Sequence, residues 1–287
     1  MNIKKDRYKG IILAAIASTM WSTGGIFVKL VDWNPISIAG LRSFIAALVM
    51  LIYIKKPKFT KSKPQILGTI TTCTTMLCFI IANKLTTSAN AILLQYTAPI
   101  FVAILGVWIL KEKIRWYDIL SITVVFLGMI LFFIDNVNIG NTLGNIIAIL
   151  SGFSLACMTI SLRLQKDGSA MDTTFFGNML TFIIAIPFFI FTPLPDVKSI
   201  IIIIIMGVFQ LGIPYIFYVN STKYLTALEA ILITVIEPLL NPLWVYVFAG
   251  ENPGIYAIIG GVVVIAAVLI RGIYVSKLES IEEQGIK

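Results

Sequence analysis

The sequence predicts an all-α membrane protein of about ten transmembrane helices, arranged as two inverted five-helix repeats. Three observations predict it. Of the 287 residues, 58% are hydrophobic and 13% charged, and the mean hydropathy is +0.95, a composition that calls for lipid as solvent. Uncharged runs such as Gly10 to Val28, Leu85 to Leu110 and Ser199 to Thr222 match the roughly 20 apolar residues that a spanning helix needs. The third is an internal repeat that relates the two halves of the chain.

Polar breaks divide the chain into helices at 10–31, 36–54, 65–83, 88–110, 117–134, 142–162, 172–192, 198–221, 226–249 and 254–275. The first follows Lys4, Lys5, Arg7 and Lys9. It has the look of a signal peptide, but nine hydrophobic spans follow it, and it is read as a retained anchor. The later helices are parted by Lys55 to Lys63, Lys84, Lys111 to Arg115, Asn136 to Asn141, Arg163 to Lys166, Pro195 to Lys198, Lys223 and Gly250 to Pro253. A barrel does not fit, because Ile200 to Ile205 is apolar throughout, whereas barrel strands alternate.

Basic residues resist translocation and collect in cytoplasmic loops. With the N-terminus inside, all 22 Lys and Arg fall on the inner half except Lys29, Arg42, Lys84 and Lys198. An odd number of helices breaks this agreement. The expected location is therefore the inner (cytoplasmic) membrane, multi-pass, with both termini cytoplasmic. Topology and anionic lipid account for the net charge of +8, and nucleic acid is not needed as a partner. Cys73, Cys78 and Cys157 lie in spans, where small buried hydrophobes are usual, so no disulfide is expected. The chain has no His, the commonest metal ligand, and no phosphate-binding glycine loop. No metal and no cofactor are expected, and a primary ATP-driven pump is not expected from this chain alone.

At a constant offset of 139, Lys84 to Glu112 aligns with Lys223 to Glu251. Lys84 meets Lys223, Thr87 meets Thr226, Ala91-Ile92-Leu93 meets Ala230-Ile231-Leu232, Pro99 meets Pro238 and Glu112 meets Glu251. Gly68 and Gly207 extend the match, and at an offset of 134 Gly10 pairs with Gly144 and Lys29 with Arg163. Residues 1–135 form the first repeat, 142–275 the second and 276–287 a cytoplasmic tail. Because five is odd the halves run oppositely, the design through which many secondary transporters alternate access. An enzyme acting on lipid-linked substrates wants clustered acids or a nucleophile with its base, and a channel wants rings of repeated lining groups. Neither is evident, so the expected function is secondary transport, with no enzymatic activity.

Trp21-Ser22 and Lys29 in helix 1, Pro35 and Arg42 at helix 2, Ala91-Ile92-Leu93-Leu94 to Pro99 and Glu112 in helix 4, and Gly128 in helix 5 form one set of motifs. Ala230-Ile231-Leu232, Glu237-Pro238 and Gly250-Glu251 form the matching second set. Together, over nearly the whole chain, they resemble the EamA-type transporters of the drug/metabolite transporter superfamily. Leu155 stands where a second Trp is often found. The resemblance implies a pseudo-two-fold bundle around a central cavity, working as a monomer or homodimer to move amino acids or similar small solutes.

Individual residues carry more specific expectations. Pro99 and Pro238 fall mid-span, where each ring removes a backbone hydrogen bond and can hinge its helix. Glu237 is an acid deep within an apolar span, where it either couples protons, binds a cationic group, or caps backbone freed by Pro238. Arg42 either snorkels to lipid phosphate or turns inward to offer a carboxylate-matching fork. Trp21, Thr23, Gln95, Tyr96, Asn178, Gln210, Tyr215 and Asn241 complete the candidate substrate-binding set. Trp33 and Trp116 sit where interfacial anchors belong. Two alternating gates are expected, Lys29 with Glu251 outside and Arg163 with Glu112 inside, against the alternative that all four are solvated helix ends.

Overall fold

In the computed structural model of the chain, residues 3–135, 141–165, 170–240, 244 and 254–283 are described. They are helical with no strand among them. The helices are α1 (Ile3–Trp21), α2 (Gly24–Leu30), α3 (Pro35–Ile54), α4 (Lys63–Leu85), α5 (Ser88–Gln95), α6 (Ala98–Leu105), α7 (Trp116–Phe133) and α8 (Thr142–Leu164). There follow α9 (Ala170–Phe191), α10 (Val197–Ile205), α11 (Ile213–Ser221), α12 (Ala227–Ile233) and α13 (Ile255–Glu283). Two π-helical segments, π1 (Gly106–Leu110) and π2 (Met206–Gly212), continue α6 and join α10 to α11.

Eight helical stretches among the described residues are long and apolar enough to cross a membrane: 35–54, 63–85, 90–110, 116–133, 142–164, 170–191, 197–221 and 255–278. The two other expected spans are broken. The first gives way at Ser22-Thr23, ahead of Gly24-Gly25, and α1 carries Lys4, Lys5, Asp6, Arg7 and Lys9 in its opening turns. The ninth stops at Thr234-Val235 and is helical again over 236–240, ahead of residues outside the described set. The break at Tyr96-Thr97 is its counterpart in the first half. Prolines set both, since Pro99 and Pro238 have no N–H for the carbonyl four residues earlier.

Caps placed by the sequence fix several starts. The Asn34 side chain accepts from the Ile36 and Ser37 N–H groups, with Pro35 preset at the first turn. Thr87 and Thr226 cap α5 and α12 by accepting from Asn90 N and Glu229 N. In α12, Glu229 also receives the Thr226 N–H at 3.2 Å, completing a capping box.

The principal helix pairs are α4 with α8, α3 with α9, α7 with α13, and α1 with α11. Small residues let them approach. A Cβ on Gly260 of α13 would lie 2.6 Å from the Gly128 carbonyl of α7, closer than real Cβ atoms come. Large side chains such as Ile52, Ile70, Ile104, Trp108, Ile204 and Leu269 face outward. An apolar exterior of this extent is a lipid-facing surface rather than a water-facing one.

Candidate functional site: a mid-bundle cavity and an ionic cluster at one end

The breaks in the two proline helices meet. Pro238 removes the donor four residues on from the Thr234 carbonyl; the Glu237 N–H reaches that carbonyl at 2.9 Å in a tighter turn, and the Tyr96 hydroxyl donates to it at 2.7 Å. The same hydroxyl lies 3.0 Å from Glu237 Oε2. Pro99 frees the Gln95 carbonyl in the same way, and Gly152 of α8 sits against it, with an added Cβ only 2.6 Å away. Gln95 then reaches across to donate from Nε2 to Ser151 Oγ at 2.8 Å. The Glu237 carboxyl does not cap the freed backbone; a tyrosine from the opposite half of the chain does.

Beside this crossing is a cavity of about 60 Å³. It collects seven of the expected binding residues, Trp21, Arg42, Gln95, Tyr96, Gln210, Tyr215 and Glu237, and adds Thr75, Met76, Phe79, Leu155, Tyr218, Ile231 and Thr234 among others. Leu155, the departure noted in the sequence, is part of the wall. Arg42 is 2% exposed, which rules out the snorkelling account. Its Nη1 donates to Gln210 Oε1 at 3.2 Å and its Nη2 points at the Met76 sulfur at 3.7 Å. Its Nε has no acceptor among the described residues. A buried guanidinium with spare donors is poised for an incoming oxygen ligand.

Gln210 reaches Arg42 from π2, where the wider turn redirects the side chain. Trp21 packs at 5.2 Å from the Tyr215 ring and 5.1 Å from the Tyr218 ring, forming an aromatic wall. The Tyr218 hydroxyl is held by Thr159 Oγ1 at 2.9 Å, whereas the Tyr215 hydroxyl points at the soft sulfurs of Met76 and Met158 at 4.0 and 3.9 Å.

Other expected residues lie elsewhere. Thr23 sits at the α1–α2 break and bonds the Met20 carbonyl. Asn178 is buried in α9, donates to the Thr174 carbonyl, and does not line the cavity. Asn241, Glu251 and the stretches 136–140 and 250–253 lie outside the described residues, as does the Lys29 side chain. Pro99 is buried at the start of α6. Trp33 stacks on Phe189 and donates to the Pro193 carbonyl at 2.9 Å, while Trp116 is 65% exposed beside Tyr117 and Tyr274.

The end of the bundle where α1 begins holds a second constellation. Arg163 Nε lies 3.4 Å from Glu112 Oε1, and Arg163 Nη1 donates to the Thr222 carbonyl at 3.0 Å. Glu112 also accepts from the Ala227 N–H at the start of α12. Burial pushes the Glu112 carboxyl above its ordinary range, against the pull of Arg163. One turn on, Glu229 Oε1 accepts from Arg7 Nη2 at 2.7 Å and lies 3.6 Å from Arg271 Nη1. Arg271 Nη2 meets Asp118 Oδ1 at 2.7 Å. These four side chains are no more than 10% exposed.

Arg7, Asp118, Glu229 and Arg271 were not singled out from the sequence as a site. A signal was there: Thr226-Ala227-Leu228-Glu229 reads as a capping box. It marks a helix start; the convergence of two arginines on that glutamate is purely tertiary.

Comparison with known proteins agrees with this architecture. The family model described as "EamA-like transporter family" matches residues 8–134 and again 142–272. A protein of Archaeoglobus fulgidus named an uncharacterized transporter is 27% identical over 261 residues, covering 91% of this chain and 94% of that protein. The uncharacterized transporter YdfC of Bacillus subtilis is 24% identical, covering 97% and 96%. A solved crystal structure superposes with a TM-score of 0.78 at 15% identity, covering 94% of this chain and 98% of the other, a likeness of fold. With two family matches spanning nearly all of a helical, lipid-facing chain, the protein is a multi-pass membrane protein that belongs to the EamA-like transporter family.

Proposed function

We propose that the protein is a secondary carrier that moves a small amphipathic solute bearing a carboxylate and an amine, the amino-acid class, by alternating access. The observation that carries the reading is the convergence of Arg42 and Glu237, opposite charges from opposite halves of the chain, on one aromatic-walled cavity. Arg42 with its spare Nε would receive the carboxylate, Glu237 the ammonium, and Trp21, Tyr215 and Phe79 the apolar part. At about 60 Å³ the cavity has room for two waters' worth of volume, against roughly 300–1,000 Å³ for ligand pockets, so substrate enters only when the surrounding helices part.

Helix pairing supports two inverted repeats. Exchanging the repeats turns the α4–α8 pair into the α11–α1 pair and returns α3–α9 and α7–α13 to themselves, and all four are principal contacts. The ten-helix count, with 10–31 and 226–249 as broken spans, belongs to the same reading. So does the orientation, with both termini cytoplasmic in the inner membrane, which rests on the distribution of Lys and Arg.

Glu237 supplies a route for proton coupling. Tyr96 has one hydroxyl proton and two neighbouring acceptors, the Thr234 carbonyl and Glu237 Oε2. A protonated Glu237 donates to the Tyr96 oxygen and leaves the Tyr96–Thr234 bond intact. An ionised Glu237 competes for the same proton, so binding of a substrate ammonium relieves that competition. Counterflow in proteoliposomes tests the carrier: preloaded unlabelled amino acid should drive saturable uptake of labelled amino acid. Flux that does not saturate points to a channel, and a chemically altered solute to an enzyme.

A further inference from the structure

We infer that Glu229 is the central residue of the inner gate of this carrier, and that α12 couples that gate to the cavity. The inference rests on the carrier reading above and adds residues and a mechanism to it. Glu229 receives Arg7 of α1 at 2.7 Å and faces Arg271 of α13, which in turn holds Asp118 of α7 at 2.7 Å. Glu112, following π1, pairs with Arg163 of α8 and accepts from the first N–H of α12. Three acids and three arginines thus bind elements from both halves of the chain around the start of one short helix.

This layer lies between the cavity and the inner end of the bundle. Along their own helices Arg7 precedes Trp21 and Arg163 follows Leu155, separations of roughly 12–21 Å at the helical rise, and Glu229 precedes Glu237 across the break at Thr234-Val235. Two further cavities, of about 420 and 270 Å³, flank the layer, and Glu229 and Arg271 line both, so these two side chains form the wall between them. Neither cavity shares a lining residue with the central one, so the packed layer closes the central cavity off from this end of the bundle. The opposite end of α12 delivers the Thr234 carbonyl to Tyr96 and stands next to Glu237. Cavity and gate are therefore opposite ends of one helical piece seven residues long, broken from the rest of its span by the turn ahead of Pro238.

The repeat counterpart of Glu229 is built from different chemistry. The offset of 139 puts Asn90 at the place of Glu229. At the start of α5, Asn90 and Thr86 bond Asn145 of α8 at 3.3 and 2.9 Å, neutral amide and hydroxyl contacts where the inner side has charges. Hydrogen bonds to charged groups are the stronger kind, and removing one partner of a buried pair strands the other charge. Among the described residues the two sides are therefore unequal, with the charged contacts at the start of α12 and the neutral ones at the start of α5.

Sided thiol labelling tests this. In a background with Cys73→Ser, Cys78→Ser and Cys157→Ser, Thr75→Cys reports cavity access to a membrane-impermeant maleimide applied to right-side-out or inverted vesicles. Glu229→Gln should raise the inside-to-outside labelling ratio by about tenfold, a coupling of ordinary size between two sites. Asn90→Ala should lower the ratio, and by less. If Glu229→Gln does not fold, Arg163→Gln breaks the less buried Glu112 pair, about one-fifth exposed, and should shift the ratio the same way. An unchanged ratio in folded variants, or a rise equal from both sides, overturns the gate and leaves the cluster as helix packing. The ratio needs no substrate, so it is independent of counterflow: a protein that exchanges solute with an unmoved ratio loses only the gate.

Discussion

The Tyr96 hydroxyl lies 2.7 Å from the Thr234 carbonyl, the carbonyl that Pro238 deprives of its helical partner. The hydrogen bond lost to a proline in one half of the chain is replaced by the Glu237 N–H at 2.9 Å and by a tyrosine at the matching break in the other half. Tyr96→Phe removes this hydroxyl while keeping the ring; the Thr234 carbonyl keeps the Glu237 N–H at 2.9 Å, so the loss is that of one buried hydrogen bond, about 0.5–1.5 kcal/mol. The thermal unfolding midpoint in detergent should fall. A Phe variant as stable as the parent would mean that the Glu237 N–H alone satisfies Thr234.

Glu237→Gln keeps volume and hydrogen bonding and removes titration. Folding and expression should survive, while the pH dependence of solute exchange should flatten. The decisive measurement is the exchange rate across pH 5 to 8 in the folded variant. An unaltered profile would remove Glu237 from proton coupling and leave it, at most, as a ligand for the substrate ammonium.

Much of this was legible in the sequence because it depends on composition and on local backbone chemistry. Uncharged runs gave the spans, and paired prolines gave the breaks. Seven of the ten candidate binding residues line one cavity because polar groups inside apolar spans have few other places to go. The partnerships were not legible. Nothing near Arg42 in the chain points to Gln210, which arrives through a π-helical turn that hydropathy does not register, and nothing near Glu229 points to Arg7, 222 residues away. The first span reads as continuous by hydropathy, although Ser22-Thr23-Gly24-Gly25 carries the helix-breaking residues. Asn178 looked available for a ligand but lies away from the cavity, where its Nδ2 donates to the Thr174 carbonyl of its own helix and its Oδ1 has no hydrogen-bond partner among the described residues.

Orientation is open to a direct test. A reporter fused after Asn138 should be active only when it is of the type that works outside the cytoplasm, and one fused after Lys61 only when it is of the cytoplasmic type. The reverse pattern would invert the bundle and turn the ionic cluster into an outer gate.

Gly152→Ala probes the close approach at the first proline break. The added methyl would sit 2.6 Å from the Gln95 carbonyl and 3.0 Å from Thr97 Oγ1, so α8 must move away from the α5–α6 corner. Overpacking of this kind costs about 1–3 kcal/mol. Stability should drop, and solute exchange with it, because Gln95 Nε2 loses its position opposite Ser151. Unchanged stability together with unchanged exchange would show that the corner has slack, which the proline hinge reading does not allow.

Arg42 offers the sharpest test of substrate chemistry. A guanidinium presents donors in a fixed plane; Nη1 is committed to Gln210 Oε1, and Nε is left for a ligand. Arg42→Lys keeps the charge but has no second arm, so it cannot hold Gln210 and a carboxylate in one plane. Exchange should weaken strongly for amino acids, with KM rising by about tenfold or more, the equivalent of one charge-assisted hydrogen bond. Gln210→Leu should act in the same direction but less, since it frees Nη1 while removing what orients the guanidinium. The discriminating comparison is between an amino acid and its amide, in which the carboxylate is neutralised. In the parent, the amide should compete poorly; in Arg42→Lys, the gap between the two should shrink. If amino acid and amide compete equally in the parent, the guanidinium is not a carboxylate receptor, and Arg42 serves instead to balance the charge of Glu237 across the cavity.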